Sequence, residues 1–157
     1  MEYLTVAKES YALRSIFPLI DNNQKIECVL DPGCQIVAMS EAVSHHLGIS
    51  YDPNVILHML SANGAVNSSL GLACNIPFNI ANLTFYIQAH VIRSPAYDIL
   101  LGRPFDVLTQ SVVRNFSNAD QTITVHDPNT RRTVTIPTSV RCSLRCQKEE
   151  ETAVFRE

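Results

Sequence analysis

Apolar and polar residues alternate along most of this chain in short bursts separated by turn-forming residues. A period of two is the mark of half-buried strands. The clearest case is residues 83–92, where Leu83, Phe85, Ile87, Ala89 and Val91 alternate with Thr84, Tyr86, Gln88 and His90. That pattern predicts a strand with one wet face. Residues 72–80 form its candidate partner across Ala81-Asn82. Upstream, residues 15–20 read as a strand, Asp21-Asn22-Asn23 as a turn and residues 24–30 as the return strand, with Ile26, Cys28 and Leu30 on one face. Residues 36–39 give a further short strand. Residues 55–60 and 65–70 flank Asn63-Gly64, a hairpin signal because both residues tolerate positive φ. Residues 98–101, 121–126 and 132–136 complete the set of strands.

Helical signals are sparse. Ser40 reads as an N-cap, Glu41 falls in the first turn and Gly48 just past the end, which predicts a helix over 41–47. Pro104 suits the first position of a second short helix over 104–110. Many short strands with one or two short helices predict an all-β domain, a closed barrel or sandwich. The strand pattern runs over 14–136. Residues 1–13 read as an N-terminal segment and 137–157 as a polar tail, whose run Gln147-Lys148-Glu149-Glu150-Glu151 is a solvated charge cluster.

Composition narrows the function classes. The 157 residues are 46% hydrophobic, enough for one packed core. Only 17% are charged and the net charge is −3, so there is no basic field to draw nucleic acid. No apolar run approaches the ~20 residues of a membrane span. Residues 1–5 lack the basic and apolar regions of a signal peptide. The five cysteines (Cys28, Cys34, Cys74, Cys142 and Cys146) are odd in number and scattered. They read as reduced thiols of an intracellular, cytoplasmic protein. Cys142 and Cys146 share a helical spacing, but no second pair or histidine cluster completes a zinc site, so neither metal nor cofactor is expected. The sequons at Asn67, Asn82 and Asn115 carry no meaning without secretion.

Candidate chemistry centres on Asp31-Pro32-Gly33, a carboxylate on a turn directly after an apolar strand. By itself this triplet is ordinary turn chemistry. Cys34 is a small buried thiol or, with His45 or His46 close by, a nucleophile. Asp98 is either a turn residue or a second carboxylate for the same site. Adjacent His45 and His46 face different ways on a helix and make a poor metal pair.

The triplet has company. Asp31-Pro32-Gly33-Cys34-Gln35-Ile36-Val37-Ala38-Met39-Ser40, then a helix, then Leu47-Gly48-Ile49, resembles the catalytic segment of retropepsin-like aspartic proteases. Ile99-Leu100-Leu101-Gly102-Arg103 is similar to that family's second signature. The wording is most similar to proteases of long-terminal-repeat retrotransposons and their domesticated relatives. The resemblance covers residues 14–136. It implies an aspartic endopeptidase that works as a homodimer, with one catalytic Asp31 from each chain. Two facing carboxylates then share one proton, so that one acts as base and the other as acid. It further implies an active-site loop of Pro32, Gly33 and Cys34, a flap at Ala62, Asn63 and Gly64 that closes over substrate, and a structural signature at Leu101, Gly102 and Arg103. The substrate would be an extended peptide, such as a retroelement polyprotein, and the rate would peak on the acidic side of neutral.

Two residues depart from the family pattern. Pro32 stands where Thr or Ser usually supplies a hydroxyl that grips the partner loop, and it has no N–H either. Gln35 stands where an acidic residue often pairs with the arginine of the second signature, leaving Arg103 to find a carbonyl, Asp98 or Asp106. The alternative reading is therefore a catalytically impaired module that keeps the retropepsin fold for dimerisation or peptide binding.

Overall fold

The computed structural model describes residues 4–10, 13–60, 64 and 66–142. In chain order the elements are β1 (Arg14–Ile16), β2 (Leu19–Ile20), β3 (Gln24–Lys25), β4 (Cys28–Leu30), β5 (Val37–Ser40), α1 (Glu41–Leu47), β6 (His58–Leu60), β7 (Val66–Ser68) and β8 (Gly71–Ile80). They continue with β9 (Leu83–Ile92), β10 (Ile99–Leu101), α2 (Arg103–Thr109), β11 (Val112–Asn115), β12 (Gln121–His126), β13 (Thr133–Pro137) and β14 (Ser139–Val140). Nine strands form one curled sheet in the order β14-β1-β4-β10-β5-β9-β8-β2-β3. β11, β12 and β13 form a second sheet, and β6 with β7 a two-stranded ribbon.

The β8–β9 hairpin is the backbone of the core. It turns at Ala81 and Asn82, both at positive φ, and pairs Ile80 with Leu83 through Gly71 with Val91. Leu83, Phe85, Ile87, Ala89 and Val91 are all buried, as the alternation predicts. β8 loses its period between Ala73 and Ile76, where the register shifts and Asn75 takes a φ of 54°. A bulge of this kind re-aims the side chains that follow.

Two predicted strands divide in two. Residues 15–20 split at Phe17-Pro18 into β1 and β2, because Pro18 offers no N–H to a continuous ladder. The return segment splits in step. β3 pairs with β2 while β4 pairs with β1, so the chain turns a corner between them. The ribbon strands β6 and β7 are shorter than the predicted 55–60 and 65–70. α1 occupies the predicted residues: Ser40 Oγ accepts from the Val43 N–H at 3.1 Å, and Gly48 closes the helix at a φ of 69°. α2 begins at Arg103, with Pro104 in its first turn. β11 and β14 fall where the sequence pattern gives no strand.

Val43 and Leu47 of α1, Phe105 of α2, and Ile123 and Val125 of β12 all join the main apolar cluster with β8 and β9. Both helices and the second sheet therefore pack on one side of the large sheet. Phe85 is 1% exposed at the middle of this cluster. Phe85→Ala is expected to lower the unfolding free energy by about 3–5 kcal/mol, read as a lower urea midpoint with a native-like m-value.

Candidate active site

Asp31 stands at the end of β4, whose neighbour β10 runs parallel to it, with Leu30 beside Leu101. The ladder extends one step past both strands: the Asp31 N–H donates to Leu101 O at 3.0 Å. The chain then turns. The Cys34 N–H donates to Asp31 O at 3.1 Å, and the Gly33 N–H donates to the Asp31 carboxylate at 3.2 Å. Asp31 is half-buried, while Pro32 and Gly33 at the tip are exposed.

The second signature holds the turn from behind. The Arg103 N–H donates to Cys34 O at 2.7 Å. A Cβ on Gly102 would lie 2.0 Å from Ile36 O and 2.6 Å from Cys34 O. Its φ is −86°, so close approach of backbone, and not a left-handed conformation, demands glycine here. Leu101 is 1% exposed and belongs to the core. Arg103 is exposed and, among the described residues, makes no ion pair. It lines a shallow apolar depression with Gln35, Pro104, Val107 and Leu108. Asp106 instead accepts from the Ser111 hydroxyl at 2.7 Å.

Strand register decides the place of Asp98. Ile99 is level with Cys28, so Asp98 is level with Glu27, four residues back along β4 from Asp31. At ~3.3 Å per residue the two carboxylates stand about 13 Å apart along the strands. Asp98 continues the β10–β5 pairing by one step, its carbonyl accepting the Ser40 N–H at 2.8 Å. Burial, and then the nearby Glu27 charge, hold the Asp98 carboxyl above its ordinary value of 3.8.

Cys34 packs against a small apolar group of Val29, Ala38 and Leu100. Among the described residues no histidine ring hydrogen-bonds to it; His46 meets Gln24 at 2.9 Å, and His45 lies by Glu41, Tyr97 and Asp98. Cys142 is half-buried, and Cys146 lies outside the described residues. Of the expected flap, Ala62 and Asn63 also lie outside them. Gly64 has a φ of 84°, between β6 and β7, which pair antiparallel from His58–Ser68 to Leu60–Val66.

Two features were not foreseen. A groove of about 410 Å³ opens beside Asp31 and Pro32, walled by Arg14, Leu30, Val113 and Ile123. Arg14 is fixed there by donating from Nε to Thr138 Oγ1 at 3.0 Å and from Nη2 to Thr138 O at 3.1 Å. No local signal in the sequence ties residue 14 to residue 138. Among the described residues β11 is an edge strand of the second sheet beside this groove, with Val112 56% and Val113 46% exposed and Phe116, just past its end, 39% exposed.

The model of an aspartyl protease family matches residues 18–105, more than half of the chain. The chain belongs to the aspartyl protease family. Its domain is retropepsin-like: the retroviral protease-like domain of Ddi1 from Leishmania major superposes with a TM-score of 0.59 at 17% identity, covering 85% of this chain and 96% of that one. A retropepsin-like aspartic protease from Rickettsia conorii gives a TM-score of 0.47 at 21% identity, over 73% of this chain and 92% of its own. No curated protein sequence matches significantly. Among the described residues of this retropepsin-like domain, no helix is long and apolar enough to cross a membrane.

Two expectations follow. Gly102→Ala drives a methyl group into two carbonyls and should cost about 3 kcal/mol, seen as a lower melting temperature. The raised Asp98 value means the native state holds this proton more tightly than the unfolded chain. Its contribution is present in full below the ordinary carboxylate range and is lost as pH rises through the raised value. Asp98→Asn should therefore remove that part of the decline, so that its melting temperature gains on wild type as pH rises through the acidic range.

Proposed function

We propose that this domain is an aspartic endopeptidase that acts as a homodimer, with Asp31 of each chain forming the catalytic pair. The observation that carries the reading is the turn itself: a half-buried carboxylate at an exposed tip, its N–H bonded to Leu101 O, its carboxylate accepting from the Gly33 N–H and the turn's Cys34 O accepting from the Arg103 N–H. Such a tip can meet its two-fold mate, and two like charges at close range share one proton. The base then activates water and the acid protonates the peptide carbonyl or leaving amine. Asp98 is too far along the strands for this role, because the parallel register holds it level with Glu27.

The open edge of β11 supplies the contact between protomers. It offers a backbone edge with exposed Val112, Val113 and, just past its end, Phe116, of which Val113 lines the Asp31 groove. An unprotected apolar edge is a template for pairing with another strand. The substrate is an extended peptide, a retroelement polyprotein in the setting that the sequence resemblance suggests. It binds as an added strand with the β6–β7 ribbon over it, Ala62, Asn63 and Gly64 forming the flap.

Pro32 favours a second reading. It is exposed at the tip and carries neither hydroxyl nor N–H, so the two loops meet without the usual side-chain grip. A peptide-binding dimer with little or no turnover is the outcome if that grip is indispensable. Pro32→Thr separates the two: activity created from none marks the natural chain as the impaired module.

Asp31→Asn should lower cleavage of a peptide library roughly a thousand-fold or more, as loss of one member of a coupled catalytic set does. Equal rates for wild type and variant would end the protease reading. Val113→Glu puts a charge on the proposed interface. It should shift the light-scattering mass from two chains to one and remove cleavage with it, leaving the melting transition cooperative.

A further inference from the structure

A second cavity shares no residue with the Asp31 groove. It opens where the β6–β7 ribbon springs from the large sheet and encloses about 730 Å³, with Met59, Asn67 and Leu70 on the ribbon side and Ile92, Arg93 and Ser94 at the end of β9. The root of the ribbon is pinned there. The Leu70 N–H donates to Val91 O and the Ser69 N–H to Leu57 O, both at 2.8 Å. Ser69, 3% exposed, accepts from the Leu57 N–H at 2.9 Å and meets His90 Nδ1 at 3.3 Å. Burial lowers the His90 value, which favours a neutral ring behind Ser69. His58 Nδ1 and Ser68 Oγ, 2.7 Å apart, tie the two ribbon strands together.

The charge of this cavity has one sign. Among the described residues that line it, Arg93 is the charged one, and no carboxylate is present. The Ser94 hydroxyl and the Asn67 amide add donors. The partner of Arg93 lies outside the cavity: its Nε is 3.7 Å from Glu41 Oε2, with the two side chains 75% and 47% exposed. So exposed a pair contributes little and exchanges readily. Ile92 links the cavity to the Asp31 turn, because it packs against the same Val29, Ala38 and Leu100 group as Cys34. Register gives the distance. Leu101 is level with Leu30 and with Val37, and Ser40 is level with Ile92. The floor of the cavity therefore lies three strands across and four residues along from Asp31. On a flat sheet this is about 19 Å, roughly four extended residues plus one long side chain. Curling of the sheet shortens it.

We propose that this cavity is a subsite for an anionic side chain of the bound peptide, selected by Arg93, and that Glu41 competes with that side chain for the guanidinium. Its place beside a cleavage site rests on the protease reading; its choice of an anion does not. Carboxylate and phosphate share the chemistry, since each accepts charge-assisted hydrogen bonds from a guanidinium and a phosphoserine presents three such oxygens. Leu70 and Ile92 offer apolar surface to the stem of the side chain. A lysine entering the same space meets Arg93 as a like charge, which makes the site exclude as well as attract.

The test uses the full chain carrying Asp31→Asn, so that binding is read without turnover. Peptide pools with an apolar central pair, and one other position fixed in turn as Glu, phosphoserine, Gln or Lys, are retained on the immobilised protein and quantified by mass spectrometry. At one position Glu should be enriched roughly five- to ten-fold over Gln, with Lys depleted. Adding Arg93→Gln should flatten that preference, and Arg93→Glu should reverse it toward Lys. Glu41→Gln, which releases the guanidinium, should sharpen it. Arg93 and Glu41 are both exposed, so the variants should keep a cooperative melting transition. Phosphoserine retained above Glu assigns the cavity to a phosphorylated peptide; Glu at or above phosphoserine assigns it to a carboxylate. The same Glu-to-Gln ratio with and without Arg93→Glu, or retention of no pool, overturns the subsite. Cleavage of the same pools is measured separately with Asp31 intact. Selection without cleavage keeps the subsite and removes the protease reading; cleavage without selection that depends on Arg93 does the reverse.

Discussion

The arrangement depends on a contact between main chains. Gly102 lies so close to the carbonyls of Cys34 and Ile36 that no side chain fits between them. That approach lets β10 insert between β4 and β5 and lets the Arg103 N–H reach Cys34 O before α2 departs. The Asp31 turn is thus fixed by hydrogen bonds and sterics of the backbone, with little help from side chains. A loop held in this way can accept Pro32, Cys34 and Gln35 without losing its course. Retention of the geometry and retention of activity are separate matters, because the former asks nothing of the side chains at those three positions.

Apolar surface is divided unequally between the two sides of the large sheet. One side carries the main core under both helices and the second sheet. The other carries a small group around Val29, Ala38 and Leu100. That smaller group is closed within the chain by Leu13, Cys34, Ile36, Ile92 and Tyr97, which pack against it. Among the described residues, the groove at Asp31 and Pro32 and the edge of β11 are left uncovered. Each is a surface that an isolated copy leaves unfinished.

Local rules made much of this legible. The β9 alternation, the Ser40 and Gly48 caps of α1, and the order of the two signatures around Asp31 and Gly102 are all short-range features of the sequence. The split of residues 15–20 at Pro18 goes with a change of partner strand, which the alternation alone does not record. β11 escaped notice because all four of its residues are exposed, so it has no buried face to generate alternation. β14 has two residues, too few for any period. The status of Asp98 turned on register across a parallel pair, and the links from Arg14 to Thr138 and from Glu27 to Cys142 join residues 124 and 115 apart. Such contacts belong to the tertiary fold and leave no trace in neighbouring letters.

The pairing of β1 with β14 sets Arg14 beside Val140, so the first and last strands of the large sheet are neighbours. A unit whose entry and exit lie side by side can be inserted into a host chain without stretching it. The same adjacency means that pulling on both ends would peel one strand pair like a zip, instead of shearing the whole sheet. Mechanical load from flanking regions would therefore fall first on those few hydrogen bonds, leaving the hairpin at the centre undisturbed.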